Sequence, residues 1–166
     1  FGEDLVLKQV NREFEEGKIH GIVGNNGSGK TVMMKCICGF LQPTEGRVFV
    51  NFQQVGKDVD FPKDVGVIIE TPGFLPNLSG QKNLERLASL QKKIHRGVVR
   101  DTIRRVGLDP DSKKPVGKYS LGMRQRLGIG QATMEDPSVL ILDEPMKGLA
   151  KDGVAQMQDV IKEVRV

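Results

Sequence analysis

The residues best suited to chemistry lie in a glycine-rich stretch near the start of the chain. Gly24-Asn25-Asn26-Gly27-Ser28-Gly29-Lys30-Thr31 matches the pattern G-x-x-x-x-G-K-[ST]. Glycines let backbone N–H groups turn inward without Cβ clashes, so several donors can converge on one polyanion. In such a loop Lys30 would neutralise the β- and γ-phosphates and the Thr31 hydroxyl would bind Mg²⁺. The stretch therefore predicts a site for a nucleoside triphosphate.

The segments on either side of this loop are expected to hold it in position. The apolar run from Ile19 to Val23 suits a buried strand, and the residues from Val32 onward have the pattern of a helix with one apolar face. This order of strand, loop and helix would point the positive end of the helix dipole at the phosphates. The alternative is a glycine-rich turn that matches by chance, and the flanking elements weaken it.

A second group of chemically capable residues follows an apolar stretch late in the chain. Val139 to Leu142 predict a buried parallel strand, and Asp143 and Glu144 come directly after it. Ligands bind at the carboxyl ends of parallel strands. Asp143 is thus placed to hold Mg²⁺ through water, and Glu144 to polarise an attacking water. Lys30 and Asp143 are too far apart in the sequence for one crossover connection, so an inserted segment is expected.

The inserted segment is predicted to be helical, at roughly residues 72 to 135. Ser79 is expected to cap one helix, and Ser120 a later helix that runs to about Met134. Apolar positions recur at helical spacing in two further stretches, at Leu84, Leu87 and Leu90 and at Val99, Ile103 and Val106. No sustained heptads occur, so a long coiled-coil arm is excluded.

Composition limits the remaining possibilities. A chain of 166 residues with 38% hydrophobic and 28% charged content suits one globular domain, and no run reaches the length of a membrane span. The net charge of +4 is spread along the chain, so no nucleic-acid partner is expected. Cys36 and Cys38 fit reduced packing residues in a reducing, cytosolic compartment. His20 and His95 each lack a partner at ligand spacing and are expected to be structural or exposed.

The order of these motifs resembles a known family. A phosphate loop, a helical insert, the pattern S-x-G-x-x-Q-R from Ser120 to Arg126, and then L-D-E-P from Leu142 to Pro145 resemble the ATP-binding cassette of ABC transporters over nearly the whole chain. The resemblance implies a single α/β domain with the P-loop NTPase fold. That fold has a mainly parallel core sheet, an antiparallel β edge to which Leu5 to Phe14 would contribute, and a helical insert.

The same resemblance implies cofactors, partners and a location. ATP and Mg²⁺ would be the cofactors, and two cassettes would bury ATP between them in a head-to-tail dimer. A separate transmembrane permease would be the other partner. The chain would then be cytoplasmic and peripheral, on the cytoplasmic face of the cell membrane.

The resemblance also assigns roles to individual residues. Phe1 would stack on adenine, Ser120 and Gly122 would donate to the γ-phosphate held by the other cassette, and Glu144 would be the catalytic carboxylate. Thr31, Glu70 and Asp143 would bind the metal. The full set expected to bind ATP is Phe1, Gly24, Asn25, Asn26, Gly27, Ser28, Gly29, Lys30, Thr31, Val32, Ser120 and Gly122.

Departures from the usual family pattern narrow the resemblance. Tyr119-Ser120-Leu121-Gly122-Met123 stands where many cassettes have leucine, serine, two glycines and glutamine, and Glu70 stands at the Q-loop glutamine. Both features resemble the exporter class that gives self-protection against bacitracin and lantibiotic peptides. Ala150 occupies the place of the D-loop aspartate. Only 22 residues follow Glu144, so the chain is expected to be C-terminally truncated before the switch histidine, and its start at Phe1 suggests a longer protein.

The favoured hypothesis is an ATP-hydrolysing subunit that powers a separate permease for export of an antimicrobial peptide or similar substrate. A cassette with little turnover and a non-transport ABC ATPase stay open as alternatives, whereas a GTPase is disfavoured because no N-K-x-D motif occurs. The segment from Phe74 to Leu78 is expected to expose apolar residues to the permease. The alternative is that Phe74 and Leu75 pack under the insert.

Overall fold

The computed structural model describes residues 5–164. The chain divides into two compact units, a first unit that ends at Val65 and a second unit that begins at Gly66. Phe1, for which adenine stacking was expected, lies outside the described residues. Within residues 5–164 no helix combines the length and apolarity needed to cross a bilayer.

The first unit contains one helix and one hairpin. Helix α1 spans Lys30–Ile37, and strands β1 (Phe49–Val50) and β2 (Gln53–Gln54) pair antiparallel. The two residues between the strands, Asn51 and Phe52, have φ of 48° and 64°. Positive φ at both positions is what a two-residue hairpin turn requires, because it matches the twist of the strands.

The strands predicted for the start of this unit are not present. Neither Ile19–Val23 nor Leu5–Phe14 is a strand, and Ile19 is 69% and Val23 96% exposed. A strand is stabilised by a hydrogen-bonded neighbour and by burial of one face. Here local contacts take their place, since the backbone N–H of Glu15 donates to Nε2 of His20 at 3.1 Å around a turn. His20 therefore has the structural role expected for it.

The second unit combines a two-stranded sheet with helices. Strands β3 (Val65–Ile68) and β4 (Val139–Leu142) are neighbours, and the backbone N–H of Asp143 donates to the carbonyl of Ile68 at 2.7 Å. The carboxyl ends of the two strands therefore lie side by side. The helices are α2 (Gly80–Gln91), α3 (Arg96–Arg105), α4 (Leu121–Thr133) and α5 (Lys151–Lys162), with a short 3₁₀ helix at Val116–Lys118.

Side-chain caps begin three of these helices. Ser79 accepts from the backbone N–H of Lys82 at 3.4 Å, and Ser120 accepts from that of Met123 at 3.2 Å, as the sequence predicted. At α3 the cap is His95, whose Nδ1 accepts from the N–H of Gly97 at 3.1 Å. Each cap satisfies a backbone donor that the first helical turn leaves unpaired.

The core of the second unit is built around α4. One buried cluster includes Leu84, Val99, Ile103 and Leu127, and a second includes Ile68, Val106, Ile129, Met157 and Val160. The predicted apolar positions of α3 are thus confirmed. Leu90 is instead 75% exposed. Six residues after Leu84, it lies about 120° around the helix from that residue, off the buried face.

Burial of the predicted strand β4 is only partial. All four of its residues, Val139 to Leu142, are intermediate in exposure, whereas a fully buried strand was expected. Among the described strands β3 alone pairs with β4, so one edge of β4 lacks a neighbour there. Leu140 and Leu142 still pack against the second core cluster.

Candidate functional site

The phosphate loop of the first unit has the backbone of an anion site. Gly27 and Gly29 adopt φ of 80° and 88°, which side-chain-bearing residues rarely reach. The N–H of Ser28 donates to the carbonyl of Asn25 at 3.2 Å and closes the turn. Gly29 is the N-cap of α1 and has no side chain that could accept from the first N–H groups of the helix. A bound anion can accept from them instead.

The Lys30 side chain folds back over this loop. Its Nζ donates to the carbonyl oxygens of Gly24 at 2.7 Å and Asn25 at 2.9 Å. The ammonium is therefore already held at the place where the loop converges. A Cβ at Gly24 would lie 2.6 Å from Oγ of Ser28, so a side chain there would displace the serine hydroxyl.

The remaining loop residues fall where the sequence placed them. Asn26 is exposed on the outside of the loop, and Thr31 and Val32 are half-buried in the first turn of α1. The helix predicted from Val32 onward begins two residues earlier, at Lys30. The structure thus brings the nine predicted binding residues from Gly24 to Val32 together in one loop and helix start.

The acids of the second unit lie at one edge of its sheet. Asp143 follows β4 and is 8% exposed, while Glu70 follows β3 by two residues and is exposed. Because the carboxyl ends of the strands are adjacent, these two carboxylates lie at the same sheet edge. Both Glu70 and Glu144 adopt left-handed backbone, with φ of 61° and 46°. Such backbone strain in side-chain-bearing residues is concentrated at functional sites.

The Glu144 carboxylate has a close cationic neighbour that the sequence analysis missed. Nζ of Lys147 lies 2.8 Å from Oε2 of Glu144, and both side chains are more than half exposed. The hydrogen bond with Glu144, its charge and the charge of Asp143 raise the pKa of Lys147. Opposite charges three residues apart were the only signal in the sequence. Solvent screens an exposed pair of this kind, so the carboxylate can exchange partners.

The expected metal ligands fit Mg²⁺ by their chemistry. Thr31, Glu70 and Asp143 offer hydroxyl and carboxylate oxygens, which are the hard donors that Mg²⁺ prefers. Across residues 5–164, no three His, Cys, Asp or Glu side chains cluster to hold a metal.

The motif Ser120 to Arg126 begins where α4 meets the loop after β4. A Cβ at Gly122 would lie 2.8 Å from the carbonyl oxygen of Gly148, and one at Gly148 would lie 2.6 Å from Cγ of Leu121. Ser120 is exposed, and its hydroxyl accepts the cap hydrogen bond while keeping its own proton to donate. The structure therefore packs Gly122 against the segment that carries Glu144.

Gln125 of the same motif makes a contact for which the sequence analysis assigned no role. Its side chain is 5% exposed, and its Nε2 donates to the backbone carbonyl of Glu144 at 3.4 Å. The next residue, Arg126, donates to the carbonyl of Val106 at 2.8 Å and to the side chain of Gln156. In the sequence, only the positions of Gln125 and Arg126 within the motif pointed to these contacts.

Comparison with protein families decides the assignment of the chain. The model of the ABC transporter family matches residues 7–147. The chain belongs to the ABC transporter family. It is 42% identical over 156 residues to the uncharacterized ABC transporter ATP-binding protein YybJ of Bacillus subtilis (strain 168), covering 94% of this chain and 72% of YybJ. The family resemblance drawn from the motifs is confirmed.

Two further relatives carry names that state a transported class. The bacitracin transport ATP-binding protein BcrA of Enterococcus faecalis is 39% identical over 165 residues, covering 99% of this chain and 54% of BcrA. The lantibiotic transport ATP-binding protein SrtF of Streptococcus pyogenes is 33% identical over 162 residues, covering 98% and 69%. The chain thus spans about half the length of BcrA. The similarity to the bacitracin and lantibiotic class is confirmed.

Solved structures show the same fold. The ATP-binding cassette MJ0796, in a dimeric post-hydrolysis state bound to ADP and Pi, matches with a TM-score of 0.86 at 22% identity, covering 99% of this chain and 78% of that one. Its other dimeric structure matches equally well. The predicted α/β P-loop NTPase fold is therefore confirmed.

Proposed function

We propose that this chain binds Mg²⁺ and ATP, hydrolyses the ATP, and powers a separate membrane permease. The observation that carries the proposal is the phosphate loop. Its left-handed glycines, the N-terminus of α1 and the Lys30 ammonium converge on one small region of the first unit. Membership of the ABC transporter family supports ATP as the polyanion.

Binding requires an exchange of partners at Lys30. The ammonium leaves the carbonyls of Gly24 and Asn25 and contacts the β- and γ-phosphate oxygens, while backbone N–H groups from Gly27 to Thr31 donate to the same phosphates. Thr31 and Asp143 would hold Mg²⁺, with Glu70 as a further oxygen donor. When bound, the ion neutralises the charge that develops on the phosphate oxygens.

Hydrolysis is assigned to Glu144. Its exposed carboxylate accepts a hydrogen bond from a water and orients that water for in-line attack on the γ-phosphorus. A new O–P bond forms as the bond to the β–γ bridging oxygen breaks, which gives ADP and phosphate. The water proton passes towards the carboxylate. Lys147 must first release this carboxylate, which costs little because the ion pair is exposed.

The proposed transporter also contains a second cassette and a permease. Ser120 and Gly122 would contact the γ-phosphate held by the other copy, a proposal supported by the dimeric cassettes that share this fold. The names of BcrA and SrtF support a permease for bacitracin or lantibiotic-like peptides, with export as the proposed direction. The chain would then work at the cytoplasmic face of the membrane.

The segment proposed to meet the permease, Phe74 to Leu78, is less exposed than expected. Phe74 packs against the core cluster of α2, α3 and α4, so the prediction that it is exposed was wrong, whereas Leu75 is 46% exposed. The amide of Asn83 holds Leu75 in place, accepting from its N–H at 2.8 Å and donating to its carbonyl at 3.1 Å. The anchored backbone and the exposed side chain make Leu75 the apolar contact that we propose for the permease.

A cassette with low turnover is the second candidate, and two observations favour it. Lys147 pairs with the Glu144 carboxylate. Ala150 is the N-cap residue of α5 and makes no side-chain cap, whereas an aspartate there could accept from the helix N–H groups. Both features change the surroundings of the proposed catalytic carboxylate without changing the phosphate loop.

The experiment that separates the two candidates uses the purified protein. Steady-state phosphate release and ATP affinity are measured for wild type and Glu144→Gln. We expect wild type to turn over ATP, and the variant to bind ATP with wild-type affinity while hydrolysing it at least tenfold more slowly. ATP binding without measurable wild-type turnover would support the second candidate. Equal turnover of both proteins would reject the role of Glu144.

A further inference from the structure

One face of α4 runs along the segment that carries the proposed catalytic carboxylate. Gly122, Gln125 and Ile129 are spaced three and four residues apart, so they share a face of the helix. A Cβ at Gly122 would lie 2.8 Å from the carbonyl oxygen of Gly148, and Gln125 contacts the carbonyl of Glu144. Ile129 continues this face into the second core cluster.

Glu144 needs an external constraint to keep its backbone conformation. Its φ of 46° lies in the left-handed region, which is uncommon and unfavourable for residues other than glycine. Such a conformation persists only where the surrounding structure over-determines it. The Lys147 ion pair is too exposed to supply that constraint.

Gln125 is suited to supply it. Its side chain is 5% exposed, and its amide N–H reaches the Glu144 carbonyl across 19 residues of sequence. No buried side-chain polar atom in the described part of the chain lacks a hydrogen-bond partner. The same carbonyl also accepts from the backbone N–H of Lys147 at 3.0 Å, within its own turn. The Gln125 amide adds a hydrogen bond from a separate, packed helix, so it ties that turn to α4.

We infer that Gln125 is a positioning residue, which holds the Glu144 backbone so that the carboxylate points at the attacking water. The inference rests on the proposed function, because it needs Glu144 to act in hydrolysis. The hydrogen bond from Gln125 also links α4 to the segment that carries the Glu144 carboxylate.

The test replaces the amide with an apolar side chain of similar length. In the purified protein, Gln125→Met should lower kcat for ATP about tenfold or more while leaving KM and ATP affinity within about twofold, because misplacement of a reacting group costs rate and not binding. Thr133→Val is the matched control. Thr133 is a buried polar residue of α4 that donates to the carbonyl of Ile129 at 2.8 Å and does not contact Glu144. Its kcat should equal that of wild type.

A double mutant separates positioning from a general loss of stability. If Gln125 acts through Glu144, then in the Glu144→Gln background Gln125→Met should change the slow single-turnover rate less than twofold. Equal fractional losses in both backgrounds, or a wild-type kcat for a folded Gln125→Met protein, would overturn the inference. A wild-type protein that binds ATP without hydrolysing it would instead refute the proposed function.

Discussion

Replacing Lys30 with alanine tests the phosphate loop most directly. A charge-assisted hydrogen bond to phosphate stabilises the complex by about 1.5–3 kcal/mol. In the free protein, however, the ammonium already contacts the carbonyls of Gly24 and Asn25, and those exposed contacts are lost when it turns to ATP. These bonds also have a charged donor, but water competes for it at this exposed loop, so together they are worth about 1 kcal/mol. The net loss in Lys30→Ala is then about 0.5–2 kcal/mol, or roughly 2- to 30-fold in ATP affinity.

Titration calorimetry with ATP and Mg²⁺ would measure this loss, with circular dichroism to confirm folding. The matched control is Lys18→Ala, which removes another lysine of the first unit that lies in an exposed ion pair with Glu15. The control should bind ATP as wild type does, because the charge it removes is not at the loop. Unchanged ATP affinity in a folded Lys30→Ala protein would refute the assignment of the loop as a phosphate site. An equal loss of affinity in both variants would show that only the net charge of the protein matters.

Two other predictions concern the first unit. Phe52→Gly should stabilise this unit by about 0.5–1 kcal/mol, measured by denaturant unfolding. Phe52 is fully exposed at φ 64°, so relief of its left-handed strain exceeds the chain entropy that glycine adds to the unfolded state. A lower unfolding midpoint in the variant would contradict this prediction. Burial raises the pKa of Cys38 from 9.0 to about 11, so its protonated thiol contributes stability that is present below pH 9 and is lost as pH rises through 11. The wild-type unfolding free energy should fall over that window, more steeply than in Cys38→Ala, and parallel curves would contradict the cause.

Local chemistry explains what the sequence predicted correctly. The cap at Ser120 depends on residues within one helical turn, and the phosphate loop depends on the order of glycines, so both can be read from spacing alone. Leu90 was wrongly assigned because apolar spacing of three residues drifts around a helix and leaves its buried face. That error could have been avoided from the sequence.

Other features depend on partners that spacing does not reveal. Whether Ile19–Val23 becomes a strand is decided by a neighbouring strand and by burial, and in the described structure its side chains stay largely exposed. The contact between Gln125 and Glu144 joins residues 19 positions apart and depends on how α4 packs on the loop. The motif marked Gln125 as notable, but only the packing gives it a role.

The departures at Leu121 and Ala150 both lie near Gly148, the first in space and the second in sequence. Leu121 packs against Gly148, where a Cβ would lie 2.6 Å from its Cγ, so a larger residue at Gly148 would displace the start of α4. Ala150 follows two residues later and begins α5 without a side-chain cap. Leu121 thus contacts the loop at whose end Ala150 offers no side-chain acceptor to α5. The same loop also carries Glu144. Replacing Leu121 with glycine alone would remove its contact with Gly148 and leave position 150 without a side-chain cap. Only the double change at 121 and 150 tests whether the two substitutions compensate each other.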